Sequence, residues 1–362
     1  MAITCLPTRV DQVSRHGRWA TTIAGALAIA VTVAGCSSSA AKPSAAGTAV
    51  EKPNLTVLYG TAGASMIPLW IAADEGLFTK HGLHVTLTLG NSTTGANAVI
   101  SGSADLFMGE VTSAYQAEAQ GVPMQIVATL LTKSINKFFI SKKISTPAGL
   151  AGQSVAISAV GDTTDLAARL ALAKLDVDSS KVTFLPTGGS SSRLAALAAG
   201  RVDGTVLSEP TATVATQQGF QMVLDQTSQP LADDGVTISK SFGEKNPNTV
   251  VAFLEAIVDG INYLRDPANK DTSLAVMAKY LNMKPTDGPV MQGYTTYQQI
   301  LVHDPYPDAQ AGQANLDGLK SEDPSRFGNL TLSQVFNPTF AQKLRNSGYL
   351  SQAGATASPS NG

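Results

Sequence analysis

Cysteine is almost missing from this chain: among 362 residues only Cys5 and Cys36 occur. Cys5 lies in a segment that reads as a removable leader. The mature chain then has no disulfide, no cysteine metal site and no thiol nucleophile. Histidine is nearly as scarce, with His16, His81, His84 and His303. His81 and His84 flank Gly82 with no cysteine or third histidine close by, which favours a surface turn over a metal site. Ser190, Ser191 and Ser192 have no histidine or lysine beside them, so serine chemistry has no support. The expectation is a protein that is not an enzyme and carries no cofactor or metal. An excess of positive charge is also lacking. The net charge is −2, and losing Arg9, Asp11, Arg15 and Arg18 with the leader makes it −4. A mildly acidic surface argues against nucleic acid as a partner.

The uncharged stretch 20–35 is too short to span a membrane, since about 20 apolar residues are needed for a helix to cross a bilayer. With Arg9, Arg15 and Arg18 before it and small residues at its exit, it reads as a secretory signal over residues 1–35. Val33, Ala34, Gly35 and Cys36 resemble the bacterial lipobox. In that motif small residues admit the peptidase to the backbone, and the cysteine thiol accepts the lipid. Cys36 is therefore the expected lipidation site and membrane anchor, on the extracytoplasmic face of a bacterial cell membrane. Residues 36–53 begin with a run of Ser, Ala, Gly, Pro and Lys that is too poor in apolar bulk to pack, so a flexible linker is expected there. Residues 351–362 read as a disordered tail on the same ground.

From Leu55 onward short apolar runs alternate with amphipathic segments, the signature of an α/β domain. Strands are expected at 55–59, 84–89, 106–109 and 124–131, and helices at 67–75, 94–101 and 112–119. The pattern then repeats. A shift of 98 positions lays residues 55–127 over 153–225 without a gap, bringing Gly63 onto Gly161, Gly102 onto Gly200 and Asp105 onto Asp203. Two lobes with loops at matching places follow from this. Residues 138–145 and 236–239 read as crossover strands. Lobe I is therefore expected at 54–141 and 240–350, and lobe II at 142–239. Long helices at 246–266, 272–281 and 289–301 and an amphipathic piece at 332–344 are expected to close the core of lobe I.

In open α/β sheets ligands bind where strand ends run into helix N-termini. The polar loops at those places supply the candidate ligand-binding residues. From lobe I they are Ser65, Ser92, Thr93, Glu110 and Thr112; from lobe II, Ser158, Asp162, Thr163, Ser190, Ser191, Ser208 and Glu209. Each taken singly could be a helix N-cap and no more. Glu110, Asp162 and Glu209 outnumber the nearby cations Arg193 and Lys133, so the cleft suits a hydrogen-bond donor better than a bare anion. A pairing of Glu209 with Arg193 would instead leave the cleft neutral. Among aromatics, Phe107 and Trp70 read as core, and Tyr115 as either core or pocket edge.

Several stretches carry a family resemblance: Pro68-Leu69-Trp70-Ile71-Ala72, Glu75-Gly76-Leu77-Phe78, His81-Gly82-Leu83, Gly102-Ser103-Ala104-Asp105-Leu106 and Gly200-Arg201-Val202-Asp203-Gly204. Together they resemble the nitrate/sulfonate/taurine and thiamine-precursor group of periplasmic binding proteins. The resemblance implies a two-lobed type II periplasmic-binding-protein fold, each lobe a mixed sheet flanked by helices, joined by two crossover strands. It also implies a monomer that closes its lobes on a small-molecule solute and delivers it to the permease and ATPase of an ABC importer. An aminopyrimidine-like or amine-bearing solute fits the carboxylates, with an aliphatic sulfonate or nitrate-type anion, or a sensor role without transport, as the alternatives. For the anchor, mass spectrometry of membrane extracts should find a diacylglycerol mass on an N-terminal Cys36. A soluble mature protein that begins elsewhere would overturn it.

Overall fold

The computed structural model describes residues 49–351, apart from the side chains of Ser92 and Thr93. The leader, Cys36, most of the linker and residues 352–362 lie outside the described residues. Ten strands form two five-stranded mixed sheets. The strands are β1 (Asn54–Tyr59), β2 (His84–Leu89), β3 (Leu106–Glu110), β4 (Met124–Thr129), β5 (Lys137–Ile140), β6 (Ser154–Ile157), β7 (Thr183–Pro186), β8 (Gly204–Leu207), β9 (Gln221–Asp225) and β10 (Asp234–Ser239). The first sheet runs β2-β1-β3-β10-β4 and the second β7-β6-β8-β5-β9. In the first, β1 pairs in parallel with β2 and β3, and β10 lies antiparallel between β3 and β4. In the second, β6 pairs in parallel with β7 and β8, and β5 lies antiparallel between β8 and β9.

The 98-residue offset is carried through element by element. Shifted by 98, β1 to β4 land on β6 to β9, and helix Ser92–Ser101 lands on helix Ser190–Ala198. Each sheet receives its one antiparallel strand from outside that repeated series. The two sheets therefore share one plan of strand order.

The crossings lie elsewhere than the sequence suggests. Residues 138–140 belong to β5, inside the second sheet, and 236–239 belong to β10, inside the first. The expected boundaries at 141/142 and 239/240 are corrected by this sheet membership. The chain passes between the sheets in residues 130–136 and returns in 226–233. Apolar alternation did not mark these segments because much of their backbone pairs along the ribbon and not within a sheet. Ser134 N–H donates to the Gln229 carbonyl at 3.0 Å, Leu231 N–H to Thr132 at 3.2 Å, and Asp233 N–H to Leu131 at 3.1 Å. Gln226 N–H closes the ribbon on the Asn136 carbonyl at 3.1 Å.

Apolar clusters cover both faces of each sheet. The largest gathers β1, β3, β4 and β10 with helices Ile67–Asp74 and Pro247–Arg265. In the latter helix Val250, Phe253, Leu254, Ile257, Ile261 and Leu264 recur at helical spacing and are all buried. It crosses Ile67–Asp74 so closely that a Cβ on Gly260 would lie 2.4 Å from the Pro68 carbonyl oxygen. Trp70 is core, as its sequence context indicates, and stacks on Tyr280 with ring centres 4.7 Å apart. Phe107 is core as well, and so is Tyr115, whose hydroxyl donates to the Gly312 carbonyl at 3.0 Å.

Three further expectations change. His81 is no free surface group: its ring lies 3.2 Å from Glu255 and 3.0 Å from Asp259. The piece 332–344 is two helices, Leu332–Val335 and Thr339–Asn346, broken before Pro338. A helix absent from the sequence reading, Ala309–Glu322, is capped by Asp308, whose side chain accepts from Ala311 N–H. Its glycines hide it, because they form its contact face: a Cβ on Gly312 would meet Phe336 at 2.3 Å and one on Gly318 would meet Leu166 at 2.6 Å. No helix among the described residues is long and apolar enough to cross a membrane.

The Gly260 contact is backbone against backbone and cannot be relieved by a rotamer change. Gly260→Ala should therefore destabilise the domain by about 1–3 kcal/mol, read as a lowered thermal-unfolding midpoint.

Candidate ligand-binding cleft

Strands β1, β3, β6, β7 and β8 all end in polar loops, and these loops converge where the two sheets face each other. The space between them is lined by Thr61 and Ser65 after β1, Glu110 at the end of β3, and Ser158, Ser190 and Ser208 from the second lobe. The ribbon adds Asn136 and Asp233, and β10 adds Asp234. Of the residues singled out in sequence, Ser65, Glu110, Ser158, Ser190 and Ser208 are brought together here.

The others are used differently. Asp162 caps helix Thr163–Lys174, accepting from Thr164 N–H and Asp165 N–H, both at 2.9 Å. Thr112 and Thr163 meet each other across the cleft, hydroxyl to hydroxyl at 3.1 Å, in a buried contact between the lobes. Beside them Gln116 donates to the Gly161 carbonyl at 2.6 Å. Ser191 points to solvent. Glu209 does not pair with Arg193: it binds Lys137 at 2.8 Å and the Thr213 hydroxyl at 2.7 Å. Ser92 and Thr93 open helix Ser92–Ser101, with side chains outside the described residues. Lys133, expected near the cleft, faces a separate chamber beside the ribbon.

Asp233 and Asp234 are the residues that sequence reading missed. They sit within Ala-Asp-Asp-Gly, a pattern that reads as a surface turn, yet both are buried. What buries them is non-local. The Asp234 carbonyl accepts from Leu130 N–H at 2.8 Å and Leu131 N–H at 3.2 Å, and Asp234 stands opposite Glu110 in the β10–β3 register. Gly235 allows the approach, since a Cβ there would lie 2.2 Å from the Ala128 carbonyl oxygen. Arg193, the cation of the cleft, is buried and tied down by the Val206 carbonyl at 3.1 Å and the Gly188 carbonyl at 2.7 Å.

These lobes, loops and sheets have known counterparts. A family model described as NMT1/THI5 like matches residues 64–270. The chain belongs to the NMT1/THI5-like family. Among solved structures, this family member resembles the periplasmic aliphatic sulphonate-binding protein SsuA from Escherichia coli. The two are 19% identical with a TM-score of 0.64, over 80% of this chain and 93% of that one. The alkanesulfonate-binding SsuA from Xanthomonas axonopodis pv. citri, bound to MOPS, gives 19% and 0.67 over 80% and 100%. The periplasmic nitrate-binding protein NrtA from Synechocystis PCC 6803 gives 14% and 0.67 over 87% and 93%. The likeness extends over both lobes and establishes the periplasmic-binding-protein fold. Comparison with curated protein sequences gives no match.

In this NMT1/THI5-like chain the cleft is nearly shut, enclosing about 30 Å³, room for little more than a water or a single ammonium-sized group. Two buried atoms in its wall have no hydrogen-bond partner in the protein: Ser190 Oγ and Asp234 Oδ1. Buried polar groups are rarely left so, and a bound solute would satisfy both. Burial pulls the Arg193 guanidinium pKa down, against the carboxylates of Glu110, Asp162 and Asp233. Burial pushes the Asp233 carboxyl well up, and the neighbouring Asp234 adds to the shift. The Asp234 carboxyl is raised by burial to about 6, although the Ser65 hydroxyl works against the shift. Among the described residues no group of three or more His, Cys, Asp or Glu is placed to hold a metal ion.

A carboxyl whose folded pKa exceeds its unfolded value holds its proton longer in the fold. Stability from Asp234 therefore falls as pH rises from its ordinary 3.8 through about 6. Asp234→Asn should raise the unfolding free energy of the empty protein by about 1–2 kcal/mol above about pH 7. The gain should vanish near pH 4, a contrast that thermal melts at the two pH values would read.

Proposed function

We propose that the chain is an extracytoplasmic solute-binding lipoprotein, anchored through Cys36, that hands a small polar solute to an ABC importer. It acts as a binding protein and not as an enzyme, and as a monomer whose partners are the permease and ATPase subunits. The proposed solute carries a positively charged or donor-rich nitrogen, as an amine or an aminopyrimidine does.

The observation that carries this reading is the cleft wall. Asp233, Asp234 and Glu110 converge on it from the first lobe and the ribbon, and Ser190 faces them from the second. A cationic donor supplies what Asp234 Oδ1 lacks, and it offsets carboxylates that burial makes costly to ionise. The fold relatives support the solute-binding part, since they are named as sulfonate- and nitrate-binding periplasmic proteins. Helix N-termini can hold an anion of that kind, and uncompensated positive charge favours it. Here the one buried arginine of the cleft faces three acidic groups within Coulombic reach.

Capture follows from the geometry. The lobes part about the ribbon, the solute meets the carboxylates of the first lobe, and closure brings Ser158, Ser190 and Ser208 onto it. The Thr112–Thr163 and Gln116–Gly161 contacts join the lobes in the shut arrangement, whose cleft has room for little more than an ammonium-sized group. The test is a thermal-shift panel on the mature chain with amines, aminopyrimidines, purines, sulfonates and nitrate. Amines or aminopyrimidines should raise the melting temperature, and Asp233→Asn should weaken that response by roughly tenfold or more in affinity. A response to sulfonates or nitrate alone would overturn the ligand class while leaving solute binding intact. Since Asp234 must ionise to receive a cation, affinity should strengthen as pH rises through about 6. Titrations on either side of that value would check it.

A further inference from the structure

A wider space than the cleft lies outside it. Beside the ribbon a chamber of about 600 Å³ opens between the end of helix Gly288–Ile300 and the second sheet. Roughly 300–1,000 Å³ is the range of small-molecule pockets, so the chamber holds a whole organic molecule where the shut cleft holds a water-sized group. Ile135 lines both spaces and forms part of the wall between them.

The chemistry of the chamber is opposite to that of the cleft. One side is apolar, with Leu131, Ile135, Tyr297, Ile300 and Val302. Ile300 is 39% exposed, unusual for a large aliphatic side chain at the mouth of a cavity. The rest is polar, with Lys133, Lys137 and Arg265 against two carboxylates. Of its two carboxylates, Glu209 already pairs with Lys137 at 2.8 Å. Asp225 accepts from the Thr227 backbone at 2.9 Å and from the Thr227 hydroxyl at 2.6 Å. Lys133 forms no ion pair among the described residues. The Arg265 guanidinium is half-buried and donates to the carbonyls of Gln298 (3.0 Å) and Leu301, both uncharged acceptors. Burial accordingly lowers its pKa with no carboxylate working against the shift. A partly desolvated cation that has only neutral partners is a standing attraction for an anion.

We propose that this chamber is a second small-molecule site, one that takes an organic anion with an apolar body. Its acid group is drawn to Lys133 and Arg265, and its body lies along Ile135, Ile300 and Val302. The walls come from both lobes and from the ribbon: Arg265 and Ile300 from the first, Lys137 and Asp225 from the second, Lys133 from the crossing. An occupant therefore favours the lobe arrangement that forms the chamber, which is the arrangement in which the cleft is shut.

The test uses the full mature chain and the fluorescent amphipathic anion 8-anilinonaphthalene-1-sulfonate, at a pH and temperature where the protein is folded. Emission should rise saturably on binding, and the affinity should fall as salt is added. Lys133→Glu and Ile300→Asp change side chains exposed to solvent and should melt like the wild type. Each should weaken binding of the probe by about tenfold. Asp233→Asn, which alters the cleft, should leave the probe's affinity unchanged. No saturable rise, wild-type affinity in either chamber variant, or loss of binding in Asp233→Asn overturns the proposal. The cleft reading fails separately, by the absence of any amine or aminopyrimidine response.

Discussion

The cleft of this protein is built on a two-stranded ribbon that joins its two sheets. Residues 130–136 and 226–233 run between two sheets and belong to neither, so their backbone groups bond one another and the segments beside them, as Val302 N–H does to the Leu130 carbonyl. The ribbon is where the described chain passes between the lobes, a geometry suited to hinge rotation. It also sets the chemistry of the cleft. The same hydrogen bonds that satisfy the ribbon draw Asp233 and Asp234 out of what would otherwise be a solvated turn.

The consequence is a site held at the expense of stability. Two adjacent carboxyls and Glu110 share a nearly dry space with one arginine whose guanidinium also serves to bind carbonyls. A fold selected for stability alone would place neutral or apolar groups there. Such an arrangement is readily understood when the missing partner arrives from outside, and the unpartnered Ser190 Oγ and Asp234 Oδ1 point the same way. The hydroxyl pair Thr112–Thr163 has a different part: it joins lobe to lobe, so it bears on closure and not on which solute is held.

Much of the architecture was legible in the residues. Strand and helix periodicity located β1 to β4, and the offset of 98 positions transferred them onto β6 to β9 because corresponding loops carry corresponding glycines. Loop position alone brought Ser65, Glu110, Ser158, Ser190 and Ser208 to one place. It could not separate them from Asp162, whose oxygens are taken up by its own helix, or from Glu209, which faces Lys137. Capping and ligand contact use the same residue types at the same helix ends. Only the direction of each side chain distinguishes them, and that depends on the opposing lobe. Helix Ala309–Glu322 escaped for a related reason, since its glycines look like breaks until Phe336 and Leu166 are seen against them.

Residues read in short windows carry the alternation of strand and helix, the doubled plan, and an acidic tendency among the polar loops. These follow from periodicity, composition and short-range spacing, which the chain carries without reference to its fold. The tertiary structure alone decided which strands share a sheet, where the chain crosses between lobes, and that Asp233 and Asp234 face the cleft. Those outcomes rest on pairings between segments some hundred residues apart, such as Leu130 with Asp234. Long-range hydrogen bonding and burial settle them, and neither is written in any short window of residues.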